Sequence, residues 1–186
     1  MQFLDVTGAW TTGYETQLEL CIARCLQGEE AAYHALYRQF ANSVYRLNYS
    51  FLQDVQDAEE VLQDSFEYAF RQLKTFDPQK SSFKTWLYRI AVSRCHNKRR
   101  RKWLNSFSLS RLLHEEEELI DYDTPSPDEH FAINQDQQQV WTALQELSPK
   151  LREVAILRYY DGLRYSEVGE VLGISAKTAE SRMRLA

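Results

Sequence analysis

A basic and aromatic stretch near the middle of the chain offers the clearest chemistry in the sequence. Six of the eleven residues in SRCHNKRRRKW, residues 93–103, are Lys or Arg. The stretch just before it, FKTWLYRIAV, adds Trp86 and Tyr88. Cations can bind the phosphates of a nucleic acid while aromatic rings stack on unpaired bases, at roughly 1–3 kcal/mol per base. The pattern therefore predicts a surface for melted DNA.

Structural explanations for this stretch stay open beside the functional one. Phe83, Trp86 and Leu87 have the spacing of core residues on one helix face, and we expect Phe83 and Leu87 to be core. Cations also collect at the C-terminal end of a helix, where they interact favourably with the helix dipole. Six cations exceed what a dipole needs, so the basic run favours a nucleic-acid partner.

Residues 166–186 have the spacing of a helix-turn-helix. Gly169 would let the second helix approach the first closely, and Gly173 would supply the left-handed turn residue. Ile174 would then fill the corner between the helices. Polar and basic residues on the exposed face of the second helix can contact phosphates and base edges in a major groove. An ordinary helical hairpin with a polar outer face is the alternative.

Enzymatic and metal-binding chemistry is poorly supported. Cys21 and Cys25 share a helix face and Cys95 precedes His96, but such cysteines are usually core residues when no second matching pair occurs. No Ser-His-Asp set, phosphate-binding loop or pair of carboxylates at a catalytic spacing is recognisable. We therefore expect no catalytic residue, no metal and no cofactor.

The charge of the chain is unevenly distributed. The formal net charge is −5, from 22 Lys and Arg against 27 Asp and Glu. Eight of the acids lie between His114 and His130, where no Lys or Arg occurs, which leaves 19 acids against 22 bases and a charge of +3 elsewhere. Most of the acidity is thus confined to one segment, and a polyanionic partner is compatible with the rest.

Composition also limits where the protein works. Three cysteines do not form a disulfide framework, and the N-terminus lacks the basic-then-apolar pattern of a secretory signal. Charged residues interrupt every apolar stretch before the roughly 18–20 residues that a membrane span needs. We therefore expect a cytoplasmic protein without membrane insertion.

The elements that would position these motifs are helices. Glycine and proline are scarce, at six and four, and apolar residues recur at intervals of three and four. This pattern predicts an all-α fold of two small helical domains joined by an acidic flexible linker. We predict an N-terminal tail (1–16), a helical domain (17–103), the linker (104–130) and a helix-turn-helix domain (131–186).

The third predicted helix carries an unusual outer face. Its inner face is apolar, with Val61, Leu62 and Phe66, whereas its outer face is a row of acids and amides. Those outer residues are Asp57, Glu60, Gln63, Asp64 and Glu67. A solvated face explains such a row equally well as a partner with a basic surface.

Three motifs in order resemble those of one known family. They are DAEEVLQDSFEYAF, FKTWLYRIAVSRCHNKRRR and LSPKLREVAILRYYDGLRYSEVGEVLGIS. Together they resemble bacterial RNA polymerase sigma factors of the small two-domain, extracytoplasmic-function class. The resemblance covers about residues 18–102 and 135–186.

The resemblance implies a function and partners. It implies a sigma factor that binds core RNA polymerase, through the β′ and β subunits, and directs promoter recognition and opening at a stress- or signal-responsive gene set. Promoter DNA would be bound both as duplex and as melted strands, and an anti-sigma factor would hold the protein inactive. The polymerase would perform the catalysis, and this chain would supply specificity.

The resemblance also implies site residues. Core polymerase would be contacted by Asp57, Glu60, Gln63, Asp64 and Phe66. The −10 element would be recognised and opened by Lys84, Trp86, Tyr88, Arg89, Asn97, Lys98, Arg99, Arg100, Arg101 and Lys102. The −35 element would be read by Ser175, Lys177, Thr178, Ser181, Arg182 and Arg184.

The sequence departs from the family pattern at several positions. Ser93 stands where relatives often have Asn. Ala179 and Glu180 replace the commoner Val and Lys, so a weak or unusual −35 contact is expected. Relatives usually continue with further basic residues beyond the position of Ala186, and we expect the same here. A DNA-binding regulator with a sensing N-terminal half is the alternative; it explains the helix-turn-helix but neither the basic helix nor the acidic face.

Overall fold

The structure is a computed structural model of the chain, and it describes residues 7–112 and 142–186. Side chains are described for residues 16–104 and 142–186. Both ranges are helical and contain no strand, which confirms the predicted all-α class. The core of the predicted linker, residues 113–130, lies outside the described residues. No helix within the described ranges is long and apolar enough to cross a membrane.

Four helices build the N-terminal body. They are α1 (Thr7–Leu26), α2 (Glu30–Leu52), α3 (Val55–Arg71) and α4 (Phe83–Leu112), with a 3-10 turn at Leu73–Thr75. Apolar residues at intervals of three and four on α2 are buried, among them Leu36, Phe40, Val44, Leu47 and Phe51. This stripe packs against α1, α3 and α4, so the heptad-like spacing in the sequence directly creates the core.

Short side chains fix the starts of α3 and α4. The Asp54 carboxylate accepts a hydrogen bond from the backbone N–H of Asp57 at 2.9 Å, which caps α3. The Ser82 hydroxyl accepts one from the backbone N–H of Thr85 at 3.1 Å in the same way before α4. Helix α3 ends at Arg71, and Pro78 lies in the loop after the 3-10 turn, where its ring is incompatible with a helix interior.

Two helices extend beyond the boundaries predicted for the N-terminal domain. Helix α1 begins at Thr7, within the predicted tail of residues 1–16, and α4 continues past residue 103 to Leu112, within the predicted linker. The run from Lys98 to Lys102 therefore lies inside a long helix and not at its C-terminal end. A helix-dipole explanation of the basic run does not fit this position.

The C-terminal body is smaller. It contains α5 (Pro149–Ala155), which continues into a π-helical turn at Ile156–Tyr160, then α6 (Tyr165–Leu172) and α7 (Ala176–Leu185). Gly173 ends α6 in the left-handed conformation, at φ 66°, as the turn requires. A Cβ on Gly169 would lie 2.6 Å from the backbone oxygen of Ile174, so only glycine permits this close approach of the two helices. The predicted helix-turn-helix is present.

The two bodies are in contact. Helix α6 packs on α4, and buried residues of both bodies form one continuous apolar cluster. The sequence predicts two helical bodies on a tether, and nothing in it predicts that they pack together. This contact determines which faces of α4 remain exposed.

Candidate nucleic-acid interface

The cations of α4 face in three directions. Lys98 and Lys102 face α3: the Lys98 Nζ lies 3.3 Å from an oxygen of Asp57, and the Lys102 Nζ lies 3.1 Å from one of Asp54. Lys102 also contacts Asp57, and Lys98 contacts Glu60. Hydrogen bonds to these carboxylates raise the pKa of both lysines. Two of the predicted phosphate-binding cations are therefore already paired within the protein.

A second set of groups on α4 faces the C-terminal body. The His96 Nε2 lies 2.9 Å from a carboxylate oxygen of Glu153, and the Arg99 guanidinium lies 3.3 Å from the same oxygen. The Lys84 ammonium donates to the backbone oxygen of Asp161 at 3.2 Å. These contacts direct Lys84 and Arg99, both predicted to bind the −10 element, toward the contact between the bodies.

The third direction is solvent. Arg89, Asn97, Arg100 and Arg101 are exposed, and Arg100 donates to the side-chain oxygen of Asn97 at 3.1 Å. This exposed face of α4 continues into a groove of about 500 Å³ between α3 and α4. The groove is lined by Tyr68, Gln72, Thr75, Trp86, Arg89, Ile90, Ser93, Arg94 and Asn97. Aromatic, amide, hydroxyl and guanidinium groups thus border one concave surface, which suits a stacked, hydrogen-bonded base.

The described contacts place three predicted aromatic site residues in the core. Phe66 is 3% exposed, Trp86 is 6% exposed and Tyr88 is fully buried. Phe66 packs on Tyr37, and the Tyr88 hydroxyl donates to the Asp161 carboxylate at 2.9 Å. In this arrangement Phe66 and Tyr88 support the surface and present no ring to a partner, while Trp86 still borders the groove.

The acidic row on α3 is divided in the same way. Asp57 is buried at 8% exposure between Lys98 and Lys102, whereas Glu60 and Gln63 are exposed. The Asp64 carboxylate lies 3.9 Å from the Arg94 guanidinium. Asp57 therefore stabilises the packing of α3 on α4, and the surface available to a partner consists of the outer members of the row.

The second helix of the helix-turn-helix exposes most of its predicted contact residues. Ser175 caps α7 by accepting from the backbone N–H of Thr178 at 3.0 Å. Lys177 and Ser181 are exposed, Arg182 is half-buried, and Arg184 pairs with Glu180, one turn away at 2.6 Å. The buried Ala179 fixes the helix on the core, so the polar face points outward. Such a face fits a major groove.

Comparison with known proteins decides the family. Residues 36–104 match the Sigma-70 region 2 family and residues 137–186 match the Sigma-70, region 4 family. The chain is 30% identical over 172 residues to the extracytoplasmic-function RNA polymerase sigma factor SigK of Mycolicibacterium vanbaalenii, covering 90% of this chain and 84% of the relative. The chain belongs to the extracytoplasmic-function sigma factors. It is a promoter-recognition subunit of RNA polymerase, of a class that responds to stress or other signals.

Further relatives agree with this assignment. The sigma factor NccH of Alcaligenes xylosoxydans xylosoxydans is 29% identical over 165 residues, covering 89% of this chain and 88% of the relative. Among solved structures, CnrH in complex with the cytosolic domain of CnrY has a TM-score of 0.63 at 25% identity, with 90% of each chain covered. The sigma factor RpoE in complex with the anti-sigma factor NepR from Bartonella quintana has a TM-score of 0.64 at 21% identity, covering 82% of this chain and 90% of that one, and shares the fold.

Sequence reasoning missed part of the sigma factor's groove. The Arg94 guanidinium lies 4.6 Å from the centre of the Tyr68 ring, which is 42% exposed, and neither residue is among the predicted sites. Helical spacing could have found Tyr68, because it lies one turn beyond Asp64 on the acidic face of α3. Its pairing with Arg94 depends on how α3 and α4 pack, which the sequence pattern does not encode.

Cys25 and Cys95 of the sigma factor are buried in its core. Burial raises the pKa of Cys25 to about 11 and also raises the pKa of Cys95, which is fully buried. The Cys95 thiol donates to the side-chain oxygen of Asn48 at 3.5 Å. Within residues 16–104 and 142–186, no group of three or more His, Cys, Asp or Glu could hold a metal ion.

Proposed function

We propose that the N-terminal body, predicted as residues 17–103, binds core polymerase with the outer face of α3 and binds the −10 element with the groove between α3 and α4. The C-terminal body, predicted as residues 131–186, reads the −35 element with α7. The observation that carries this assignment is the threefold division of α4, in which one basic, aromatic-lined face is exposed among the described residues. That face lies beside the acidic row, so polymerase docking and strand capture would occur on adjacent surfaces.

The −10 part of the proposal concerns Arg89 and Asn97. Both are exposed at the mouth of the groove, where a guanidinium and an amide can hydrogen-bond to the edges of an unpaired base. The backbone phosphates of the same strand would meet Arg100 and Arg101. Trp86 closes the groove from within, and Lys98 and Lys102 become available only when their carboxylate partners are drawn elsewhere.

Run-off transcription with core polymerase tests this part. The double variant Arg89→Ala/Asn97→Ala should bind core polymerase as the wild type does and lose promoter opening, measured as permanganate reactivity of unpaired thymines. The matched control is Arg38→Ala/Gln39→Ala, which removes an exposed arginine and an exposed amide from α2. Equal opening by both variants would contradict the assignment of the groove.

The polymerase contact is assigned to Glu60, Gln63 and Asp64. These are the members of the row with side chains at the surface, and their charge complements a basic partner. Replacing all three by Ala should weaken core polymerase binding more than replacing Glu19, Gln27 and Glu30 by Ala does. These three control residues are exposed and lie on α1, just after α1 and at the start of α2. The measurement is affinity for core polymerase without DNA, and equal losses would refute the docking surface.

Three finer statements complete the proposal. The sigma factor has no catalytic residues of its own and confers specificity on polymerase, because the described surfaces are suited to binding. It works in the cytoplasm, where polymerase and promoters are.

An anti-sigma factor regulates it, since the similar RpoE structure contains the anti-sigma factor NepR. Co-purification from cells before and after stress, with the full chain as bait, tests the last statement.

A further inference from the structure

An acid lies on the helix proposed to read duplex DNA. Glu180 is in the middle of α7, and its side chain is 43% exposed. Because a duplex carries a row of phosphates, an acid on a DNA-facing helix lowers affinity for every sequence unless it makes a favourable contact with a base. Lys177, Arg182 and Arg184 on the same helix would favour binding, so electrostatic attraction to DNA explains these cations and does not explain Glu180.

The position of Glu180 around α7 follows from the residues that face the core. Ala179 is fully buried, and Met183, one turn later, packs against the same apolar cluster. At 3.6 residues per turn, Glu180 lies about 100° and Arg184 about 140° around the helix from Ala179. Lys177 lies at about 160°, near the centre of the outward face. Glu180 and Arg184 therefore border the surface that would enter a major groove.

The structure of α7 itself accounts poorly for this acid. The start of the helix is capped by Ser175, whose hydroxyl accepts from the backbone N–H of Thr178 at 3.0 Å. Glu180 lies beyond that first turn, where a carboxylate no longer meets unpaired backbone N–H groups. Its pairing with Arg184 at i and i+4 on an exposed surface contributes little to stability. A role in DNA binding remains to be considered.

Glu180 and Arg184 present an acceptor and a donor side by side. The Arg184 guanidinium donates to Oε1 of Glu180 at 2.6 Å, and the two side chains are 75% and 43% exposed. An ionised carboxylate has about four acceptor sites, and a guanidinium has several N–H donors in a planar fork. One shared hydrogen bond therefore leaves both groups able to bind a further partner.

A C·G base pair has the complementary pattern in the major groove. Cytosine presents its N4 amino group as a donor, and guanine presents O6 and N7 as acceptors. Cytosine N4 and guanine O6 are joined by a hydrogen bond of about 2.9 Å, which is close to the 2.6 Å between the Glu180 oxygen and the Arg184 nitrogen. In an A·T pair, thymine offers one acceptor beside its methyl group, so the guanidinium fork favours guanine.

We propose that Glu180 and Arg184 act together as a specificity-determining pair for one C·G base pair of the −35 element, with Glu180 accepting from cytosine N4 and Arg184 donating to guanine O6 and N7. The inference rests on the proposed function, because it assumes that α7 reads this element as duplex. It adds Glu180 to the contact residues and names the base pair that it selects. The acid also weakens binding to sequences without that cytosine, so specificity arises from repulsion as well as from attraction.

Selection from a randomised −35 element tests the proposal. Holoenzyme assembled from core polymerase and the full chain binds a duplex pool in which the −35 segment of a promoter mapped by run-off transcription is randomised, and sequencing gives the base preference at each position. The wild type should prefer C·G by about tenfold at one position, and Glu180→Ala should lower this preference to less than about twofold. Identical preferences in the two proteins would overturn the proposal.

The matched control is Glu170→Ala, which removes an exposed acid from α6 of the same body. It changes the net charge by the same amount and should keep the preference for C·G. If Glu180→Ala and Glu170→Ala bind every sequence more tightly by the same factor and both keep the wild-type preference, Glu180 only reduces the charge of the protein, and the proposal is wrong.

Two conservative variants test the hydrogen bonds separately from charge and folding. Glu180→Gln keeps the size of the side chain, and its amide pairs with adenine N6 and N7, so the preference at the same position should move toward A·T. Arg184→Lys keeps the positive charge but loses the planar fork, so the preference should weaken there with the salt dependence of binding nearly unchanged. An unaltered preference in either variant would overturn the role of that residue.

The same experiment distinguishes failure of this inference from failure of the proposed function. Both side chains are exposed, so the variants should keep the helix content of the wild type in circular dichroism and its affinity for core polymerase. If wild-type holoenzyme shows no base preference anywhere in the randomised segment, the assignment of α7 to the −35 element is wrong. If it shows preferences that none of the substitutions at Glu180 and Arg184 changes, only the specificity pair is overturned.

Discussion

Helices α4 and α7 both carry cations predicted to bind DNA, but the two sets differ in how they pair with acidic side chains. On α4, Lys98 and Lys102 are paired with acids of α3, and Arg99 is paired with Glu153. On α7, Lys177 is exposed with no such acid paired to it among residues 16–104 and 142–186, and Arg184 pairs with Glu180 on its own helix. Lys98, Arg99 and Lys102 of the basic run of α4 are thus paired within the chain, whereas Lys177 on α7 is exposed.

The difference fits the order in which the two helices would act. Duplex DNA is always available, so a helix that reads it needs no restraint beyond its modest charge. A strand-capturing helix with five successive cations would bind any polyanion, and its own acids limit that non-specific binding. Of the residues assigned to the polymerase contact, Glu60 pairs with Lys98, so docking there would compete with Lys98 and leave the Lys102 pairs with Asp54 and Asp57 in place.

The largest effect is expected from a substitution that disrupts the packing of α7 against α6. Gly169→Ala places a Cβ 2.6 Å from the Ile174 backbone oxygen, which cannot yield as a side chain could, so the free energy of unfolding should fall by about 1–3 kcal/mol. Binding to −35 duplex should be lost while core polymerase binding through α3 persists. Chemical denaturation and the two binding assays measure these effects.

Two neighbouring substitutions control for that change. Gly173→Ala meets open space but must adopt a positive φ, so a smaller loss of about 1 kcal/mol is expected. Glu170→Ala, on the exposed face of α6, should leave stability nearly unchanged. If Gly169→Ala lowers the free energy of unfolding no more than Glu170→Ala does, α6 and α7 do not approach each other as closely as described.

The next largest effect is expected from removing an acid that pairs with cations of α4, so that these cations are no longer neutralised. Asp57→Asn removes the acid that contacts both Lys98 and Lys102, and its side chain is only 11% exposed. We expect a loss of about 1–2 kcal/mol in stability, because two cations lose a buried partner. Binding of the free protein to random-sequence single-stranded DNA should become tighter. Denaturation and fluorescence anisotropy test the two expectations.

The matched control is Glu59→Gln, which neutralises an exposed acid two residues away on α3. It changes the net charge by the same amount without freeing a lysine. Equal gains in DNA affinity for both variants would mean that net charge alone is responsible, and the pairing of Asp57 would then have no role in restraining the basic run.

A smaller effect is expected in the salt dependence of DNA binding, which distinguishes paired from exposed cations. Lys177→Ala should reduce the slope of log affinity against log salt by about 0.9 for duplex promoter DNA, as expected when one phosphate contact is lost. Lys98→Ala should reduce the corresponding slope of the free protein by far less, because Lys98 already neutralises Asp57 and Glu60. Filter binding from low to moderate salt gives both slopes, and equal reductions would contradict the comparison.

Local sequence patterns predicted the helices and the helix-turn-helix because the underlying forces are local. Gly173 and Gly169 indicate the turn through backbone conformation and steric limits, and the apolar spacing on α2 identifies its buried face. The partners of Lys98 could not be read in this way, since Asp57 is distant in sequence and depends on the crossing of α3 and α4. Burial of Tyr88 was missed for a related reason: its partner, Asp161, belongs to the other body.

The smallest effect separates two aspartates by the sign of their response to acid. At the start of α3, the backbone N–H of Asp57 and the Lys102 ammonium hold the pKa of Asp54 below its usual 3.8, so its contribution is present above that value and is lost only at lower pH. At the contact between the bodies, burial raises the pKa of Asp161 above 3.8, although Tyr88, Lys84 and Arg46 partly oppose the shift.

Mild acid should therefore strengthen the contact between the two bodies before it weakens α3. Because Asp161 binds its proton more strongly when the two bodies are packed together than when they are apart, lowering the pH from neutral toward the raised pKa favours the packed arrangement, and the radius of gyration should decrease. The comparison is with Asp161→Asn, whose radius should respond less. Carbon-13 titration of the two carboxylates reports each site directly. If Asp161 titrates below 3.8 as Asp54 does, the buried carboxylate is not the acid-sensitive part of the contact.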